Sequence, residues 1–282
     1  SEYKLLASKN GKEGSILYDK IVGTKGNRGI LNVPSRMANK KASVNSERQD
    51  NRLYNTAKVE SLKPIHEKCE GFLTSGKWQH LVIGIAYFTG RRFGEIAKTI
   101  ELKETETKGL YIFYGQLKTK QNNPTNGYII PILNGEKVTE ALRRLHRMKP
   151  EFRTKHLDEL HNSSGYVSKL CKKEFGLNFH KLRSLYAMSM NHYANVNGVH
   201  RATYIGDLLG HRLSNSKASA SLYEAIDIKN FDLPEKIANG IRSIGQSYAY
   251  KVFDLNGKEI SNSPSKGKEV ESIEIDESDF FD

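Results

Sequence analysis

Two adjacent arginines, a lysine, a histidine with an arginine three residues on, a second histidine and a late tyrosine follow one another in an order suited to attack on a phosphodiester. They are Arg91 and Arg92 in Thr89-Gly90-Arg91-Arg92-Phe93-Gly94-Glu95, Lys118 in Gly115-Gln116-Leu117-Lys118-Thr119-Lys120, His180 with Arg183, His211 after Gly210, and Tyr223. A phenol attacks phosphorus only when its proton is removed and the developing charge is screened. Phosphoryl transfer is otherwise a matter of positioning and of neutralising charge on the equatorial oxygens. Guanidinium, imidazole and ammonium groups supply both without a metal ion.

Each residue type suits a distinct part of that task. A guanidinium stays charged and presents a planar fork to two phosphate oxygens, which suits Arg92, with Glu95 one helical turn away to orient it. Arg91 beside it reads as a DNA contact. Lys118, on a polar loop, can protonate a departing alkoxide if neighbouring cations lower its pKa. Lys120 competes for that role and is otherwise a DNA contact. His180 and Arg183 share a helix face at i,i+3, the imidazole for proton transfer and the guanidinium as a second fork. His211, after a helix-ending Gly210, can donate to a phosphoryl oxygen. Tyr223 sits in a Ser- and Ala-rich stretch beside Leu222 and Ile226. Taken singly, each has an ordinary reading: a surface ion pair, a turn lysine, a packed histidine, one tyrosine among fourteen. The weight lies in their order.

Composition narrows the classes. The chain has 282 residues, 37% hydrophobic and 27% charged, enough to bury a substantial core. No apolar run approaches the ~20 residues of a membrane span, and the start lacks the apolar core of a signal peptide, so no membrane partner and a cytoplasmic location are expected. Ser1 at the start is consistent with a processed chain or a fragment. Cys69 and Cys171 are far apart and lack zinc-ligand spacing, so no metal and no cofactor are expected. The formal net charge is +12, although the final fourteen residues hold seven Asp or Glu and no Lys or Arg. The remainder is therefore more basic still, and nucleic acid is the expected partner.

The elements that must position these groups are legible in outline. Residues 1–52 read as an N-terminal segment and basic arm, in which Lys25, Arg28, Arg36, Lys40 and Lys41 are DNA-binding candidates. A passive connector fits the same composition. A catalytic domain is expected over 53–230. Helical periodicity covers 53–73 and 77–89, the second strongly apolar. Residues 109–116 and 127–133 read as a hairpin around the polar loop 117–126. Helices are expected over 136–148, 165–175, 180–194, 200–209 and 216–226. The fold class is thus mainly α with a small antiparallel β-sheet (α+β). Residues 231–258 read as a C-terminal helix after Pro234 and a turn at Asn256-Gly257, and 259–282 as an acidic, disordered tail. Arg143, Arg144, Arg147 and Lys149 form a further basic cluster that a solvated helix face explains equally well.

The ordered set Thr89-Gly90-Arg91-Arg92, Lys118, His180-Lys181-Leu182-Arg183, Leu209-Gly210-His211 and Tyr223 resembles the catalytic constellation of the tyrosine recombinases, which share their domain with the type IB topoisomerases. The resemblance covers about residues 55–230 and implies that fold. It also implies that Arg92, Arg183 and His211 grip the scissile phosphate. Lys118 would be general acid for the 5′ oxygen, His180 would assist proton transfer, and Tyr223 would form a 3′-phosphotyrosyl bond whose energy permits religation without ATP or metal.

Within the superfamily, Thr-Gly-Arg-Arg-Phe-Gly-Glu-Ile and Gly-Gln-Leu-Lys-Thr-Lys are similar to telomere resolvases, which reseal a cut palindromic telomere as hairpins. The twelve-residue interval from His211 to Tyr223 agrees, whereas the His-x-x-Arg form at His180 is closer to phage-type integrases, the alternative reading. A third reading, from another class, is a DNA-binding protein that uses the fold without cutting. The resemblance implies double-stranded DNA with a palindromic or inverted-repeat target, a dimer or tetramer on it, and a phage- or plasmid-encoded protein of the bacterial cytoplasm or nucleoid.

Overall fold

The computed structural model describes residues 56–117, 128–210 and 226–250, together with the backbone of 252–253 and 259–261. The body is built around one apolar helix. After strand β1 (Ala57–Ser61) and helix α1 (Lys63–Phe72) comes α2 (Trp78–Thr89), whose residues 81–89 are all buried. Its Val82, Ile83 and Ile85 have little intrinsic preference for helix, but burying each contributes roughly 1.5–3 kcal/mol and overrides that. Helix α2 packs against α1, α3 (Gly135–Met148), α5 (His161–Phe175) and α6 (Phe179–Ala194). It stops at Gly90, whose φ of 64° is the left-handed turn that glycine takes without strain. A Cβ there would overlap the buried Tyr186 ring, so position 90 has no room for a side chain.

A single π-helical turn (Glu95–Thr99) follows, then an antiparallel sheet β2-β3-β4 (Glu101–Glu104, Leu110–Tyr114, Tyr128–Pro131). Strands β3 and β4 are the expected hairpin pair. Strand β2 is an addition to the sequence reading, as its residues are half or fully exposed and carry no buried alternation. The short α4 (Glu151–Thr154) packs on the π-helical turn. Helix α6 starts where Asn178 Oδ1 accepts from Lys181 N at 3.2 Å, an N-cap that satisfies one orphan donor. Helix α7 (Arg201–Leu208) starts likewise at His200, whose Nδ1 accepts from Ala202 N at 3.3 Å. Helix α8 (Glu235–Tyr250) packs against α6 and β4. Strands β6 (Val252–Phe253) and β7 (Glu259–Ser261) pair antiparallel; the expected turn between them lies outside the described residues.

Three expectations are corrected. Residues 259–261, expected in a disordered tail, form β7, and Ile226, expected to end a helix over 216–226 whose other residues up to 225 lie outside the described ones, opens a strand. Residues 57–61, expected to be helical, form β1, which pairs in parallel with β5 (Ile226–Asn230). A partner about 170 residues away decides this, and no local periodicity can reveal it. Asp232, just after β5, fastens the junction. Its carboxylate accepts from Leu62 N at 2.8 Å, Lys63 N at 3.1 Å and the Ser61 hydroxyl at 2.6 Å. The first turn of α1 is therefore capped from a remote segment, and these bonds, Ser61's foremost, hold the Asp232 carboxyl below its ordinary range. No helix among the described residues is long and apolar enough to cross a membrane.

Candidate active site

Four motif-bearing segments meet at the C-terminal end of α7. The last carbonyls of a helix have no intrahelical partner and carry partial negative charge. Here three successive ones are each taken by a side chain from a different part of the chain. Leu208 O accepts from Arg91 Nη2 at 2.6 Å, Leu209 O from Arg183 Nη2 at 2.6 Å, and Gly210 O from Gln116 Nε2 at 2.7 Å. Gly210 has the left-handed φ of 73° expected at a helix end. Arg183 Nη1 also donates to Gly90 O, so α6 is tied both to the turn carrying Arg92 and to the residue pair preceding His211.

Arg91 is a correction to the sequence reading. Expected on DNA, it is 1% exposed. Besides Leu208, its Nε donates to Thr89 O at 2.9 Å, and the guanidinium lies 5.1 Å from the centre of the Phe113 ring. Burial lowers its pKa to about 10, the Arg183 charge adds to that, and Glu95 partly offsets both. It remains a cation at neutral pH, spent on internal contacts. In a tandem Arg-Arg, which residue turns inward depends on how the chain leaves α2.

Arg92 turns outward. It is half-buried, its Nη1 donates to Glu95 Oε1 at 2.8 Å, and its own backbone N–H donates to Oε2 at 2.9 Å. Glu95 is fully buried. Burial pushes its carboxyl up, but Arg183, Arg91 and Arg92 together outweigh this and hold it below its ordinary range. Three guanidinium groups around one carboxylate leave a surplus of positive charge in a water-poor setting. Such charge stabilises a phosphate more than the same groups in water would. Glu95 Oε1 also accepts from Leu117 N at 3.4 Å, which fixes the backbone one residue before Lys118. The π-helical turn that starts at Glu95 is a rare geometry found often at functional sites.

On α6, His180 is exposed in the first turn, whereas Arg183, one turn further, is 2% exposed. Lys118, Lys120, His211 and Tyr223 lie outside the described residues, as do Lys25, Arg28, Arg36, Lys40 and Lys41. Their flanks are described: Leu117 precedes Lys118, Gly210 precedes His211, and Ile226 opens β5 three residues after Tyr223. Among the described residues no cluster of His, Cys, Asp or Glu could hold a metal. Gln116 escaped the sequence reading. An amide at the end of a β-rich stretch carries no local sign of a partner 94 positions away.

The family model for the telomere resolvase ResT/TelK catalytic domain matches residues 55–225. The chain belongs to the telomere resolvase family. It is thus a DNA breaking-rejoining enzyme of tyrosine recombinase type, and the hairpin-forming reading holds over the integrase one. No curated protein matches the chain. Among solved structures, this telomere resolvase domain is similar to protelomerase TelA covalently complexed with substrate DNA. The identity there is 22%, covering 83% of this chain and 79% of that one, with a TM-score of 0.63. A TelA mutant complexed with DNA hairpin product is 20% identical over 86% of this chain and 80% of that one, TM-score 0.66. Protelomerase TelK complexed with substrate DNA is 16% identical over 80% of this chain but only 49% of that longer one, TM-score 0.62. These likenesses bear out the expected fold: mainly helical with a small antiparallel sheet.

Proposed function

We propose that this resolvase cuts and reseals double-stranded DNA at a palindromic site through Arg92, Lys118, His180, Arg183, His211 and Tyr223. The Tyr223 hydroxyl gives up its proton, with His180 assisting, as its oxygen bonds to the scissile phosphorus. The bond from phosphorus to the 5′ oxygen breaks, and Lys118 passes a proton to that oxygen. The products are a 3′-phosphotyrosyl bond and a free 5′ hydroxyl. In resealing, the 5′ hydroxyl of the opposite strand attacks the phosphotyrosine, returns its proton to the site and releases Tyr223, which closes the end as a hairpin. One phosphoester replaces another at each step, so the energy balance requires neither ATP nor metal.

Arg92, Arg183 and His211 carry the charge that grows on the non-bridging oxygens, each donor contributing on the order of 2.7–4 kcal/mol to the barrier. The observation that supports this reading is the set of hydrogen bonds from Arg91, Arg183 and Gln116 onto the end of α7, joined by Glu95 to Arg92 and Leu117. Arg183 spends its Nη groups on Gly90 and Leu209 in this state. A guanidinium carries five N–H donors, so contact with the phosphate does not require it to give up either carbonyl.

A two-fold site recruits two copies or a pair of dimers. The basic arm, through Lys25, Arg28, Arg36, Lys40 and Lys41, contacts backbone phosphates and accounts for much of the salt dependence. The working compartment is the cytoplasm, where the DNA is.

The test uses a duplex nicked next to the scissile position, so that the short strand diffuses away after cleavage. Wild type gives a covalent protein–DNA band on a denaturing gel, and a palindromic duplex gives hairpin product. Tyr223→Phe gives neither. An adduct formed by Tyr223→Phe overturns the nucleophile, and DNA binding without adduct by wild type favours a protein that occupies its site without cutting.

A further inference from the structure

Resting on the reading of Lys118 as general acid, we infer that Gln116 is a positioning residue that couples the acid to the phosphate-binding end of α7. Its amide donates to Gly210 O at 2.7 Å. Gln116 is two residues before Lys118 and Gly210 is the residue before His211, so one side-chain bond spans the roots of two functional groups far apart in sequence.

The other two bonds at this helix end come from buried guanidiniums, Arg91 and Arg183, held also by Thr89 O and Gly90 O. Gln116 differs in being neutral and half-buried. Neither Arg91 nor Arg183 is on the strand that leads to the lysine. Two other bonds hold the same stretch, from Leu117 N to Glu95 Oε1 at 3.4 Å and from the Thr99 hydroxyl to Gly115 O, but neither reaches α7. Losing the amide therefore removes the one of these restraints that ties the base of the loop to the end of α7, while the core beneath β3 is untouched. A lysine that must deliver a proton to one oxygen depends on placement within about an ångström, and misplacement of that size costs up to about 10²-fold. Gln116 touches no reacting atom. Its effect runs through Lys118.

The test is single-turnover cleavage of two substrates, one natural and one in which the scissile 5′ oxygen is replaced by sulfur. A thiolate is a good enough leaving group to depart without a proton, so only defects in proton delivery are suppressed on it. Gln116→Ala and Gln116→Glu, the latter near-isosteric but unable to donate as a carboxylate, are expected to cleave natural DNA about 10- to 100-fold more slowly. On the sulfur substrate they are expected within about threefold of wild type. For Gln116→Ala, DNA affinity stays at the wild-type value and the urea midpoint falls only slightly, as one neutral hydrogen bond is lost.

Lys118→Ala serves as the reference. If Lys118→Ala is rescued by sulfur and both Gln116 variants are equally slow on both substrates, the positioning inference fails while the general-acid reading stands. If Lys118→Ala is not rescued, the general-acid reading fails and takes the inference with it. Wild-type rates for both Gln116 variants on natural DNA also overturn it.

Discussion

Arg183 donates to the Leu209 carbonyl oxygen at 2.6 Å, and through this one bond a helix that begins near position 180 reaches the residue two before His211. The same guanidinium holds Gly90, so the turn with Arg92 cannot move independently of α6 or of α7. Rigidity of this kind is what positioning-based catalysis requires.

Arg91, drawn into the interior, is expected to contribute to folding rather than to DNA affinity. Arg91→Ala removes charged hydrogen bonds to Leu208 O and Thr89 O and leaves a buried carbonyl unpaired. A loss of about 3 kcal/mol in urea denaturation is expected, with an unchanged slope of log K against log salt. By contrast, Arg92→Ala is expected to slow cleavage by about 10²–10³-fold. Its measurable loss of stability should be smaller than that of Arg91→Ala.

Glu95 makes stability depend on acid. Its folded pKa lies below the ordinary 4.5, so its contribution is complete above that value and is lost as pH falls through the folded one. Glu95→Gln is expected to cost about 3–5 kcal/mol at pH 7, because three guanidiniums lose their shared counter-ion. The gap between wild type and variant should close as the pH is lowered below 4.5. A gap independent of pH would show that the carboxylate's charge is not what holds the arginines.

Two histidines shift in the same direction, and their effect appears at a higher pH. Burial lowers the pKa of His66 and His146 from 6.5, outweighing Glu70 and Glu67 at His66 and, at His146, the hydrogen bond to Ile96 O. The unfolded chain takes up these protons first, so stability should fall as pH drops below 6.5 and level off below the folded values. Urea midpoints from pH 7.5 to 5 measure this, and His66→Gln should flatten the curve.

Gly90→Ala tests the turn. It places a Cβ on the Tyr186 ring at a φ of 64°, and that ring is fixed by its hydroxyl bond to Pro131 O at 2.7 Å. A loss of about 2–4 kcal/mol is expected from overpacking and strain combined. Asp232→Ala, at the remote cap of α1, should cost only about 1 kcal/mol, since its carboxylate is open to solvent. A larger loss would mean that the β1–β5 junction folds through that cap.

The chain's own order of residues settled a good deal. Apolar periodicity marked α2 and α6, β-rich runs on either side of a polar loop marked the β3–β4 pair, glycines marked both helix ends at 90 and 210, and the sequence of Arg, Lys, His-x-x-Arg, His and Tyr pointed to the family. These are local signals, set by the helical repeat, by residue preference and by backbone freedom. What tertiary structure decided was everything that depends on a distant partner. Residues 57–61 became a strand because β5 lies beside them, Asp232 became a helix cap, and Gln116 found Gly210. Of two neighbouring arginines, Arg91 turned in because the free carbonyl at the end of α7 was there to receive it, and that carbonyl is over a hundred residues away along the chain.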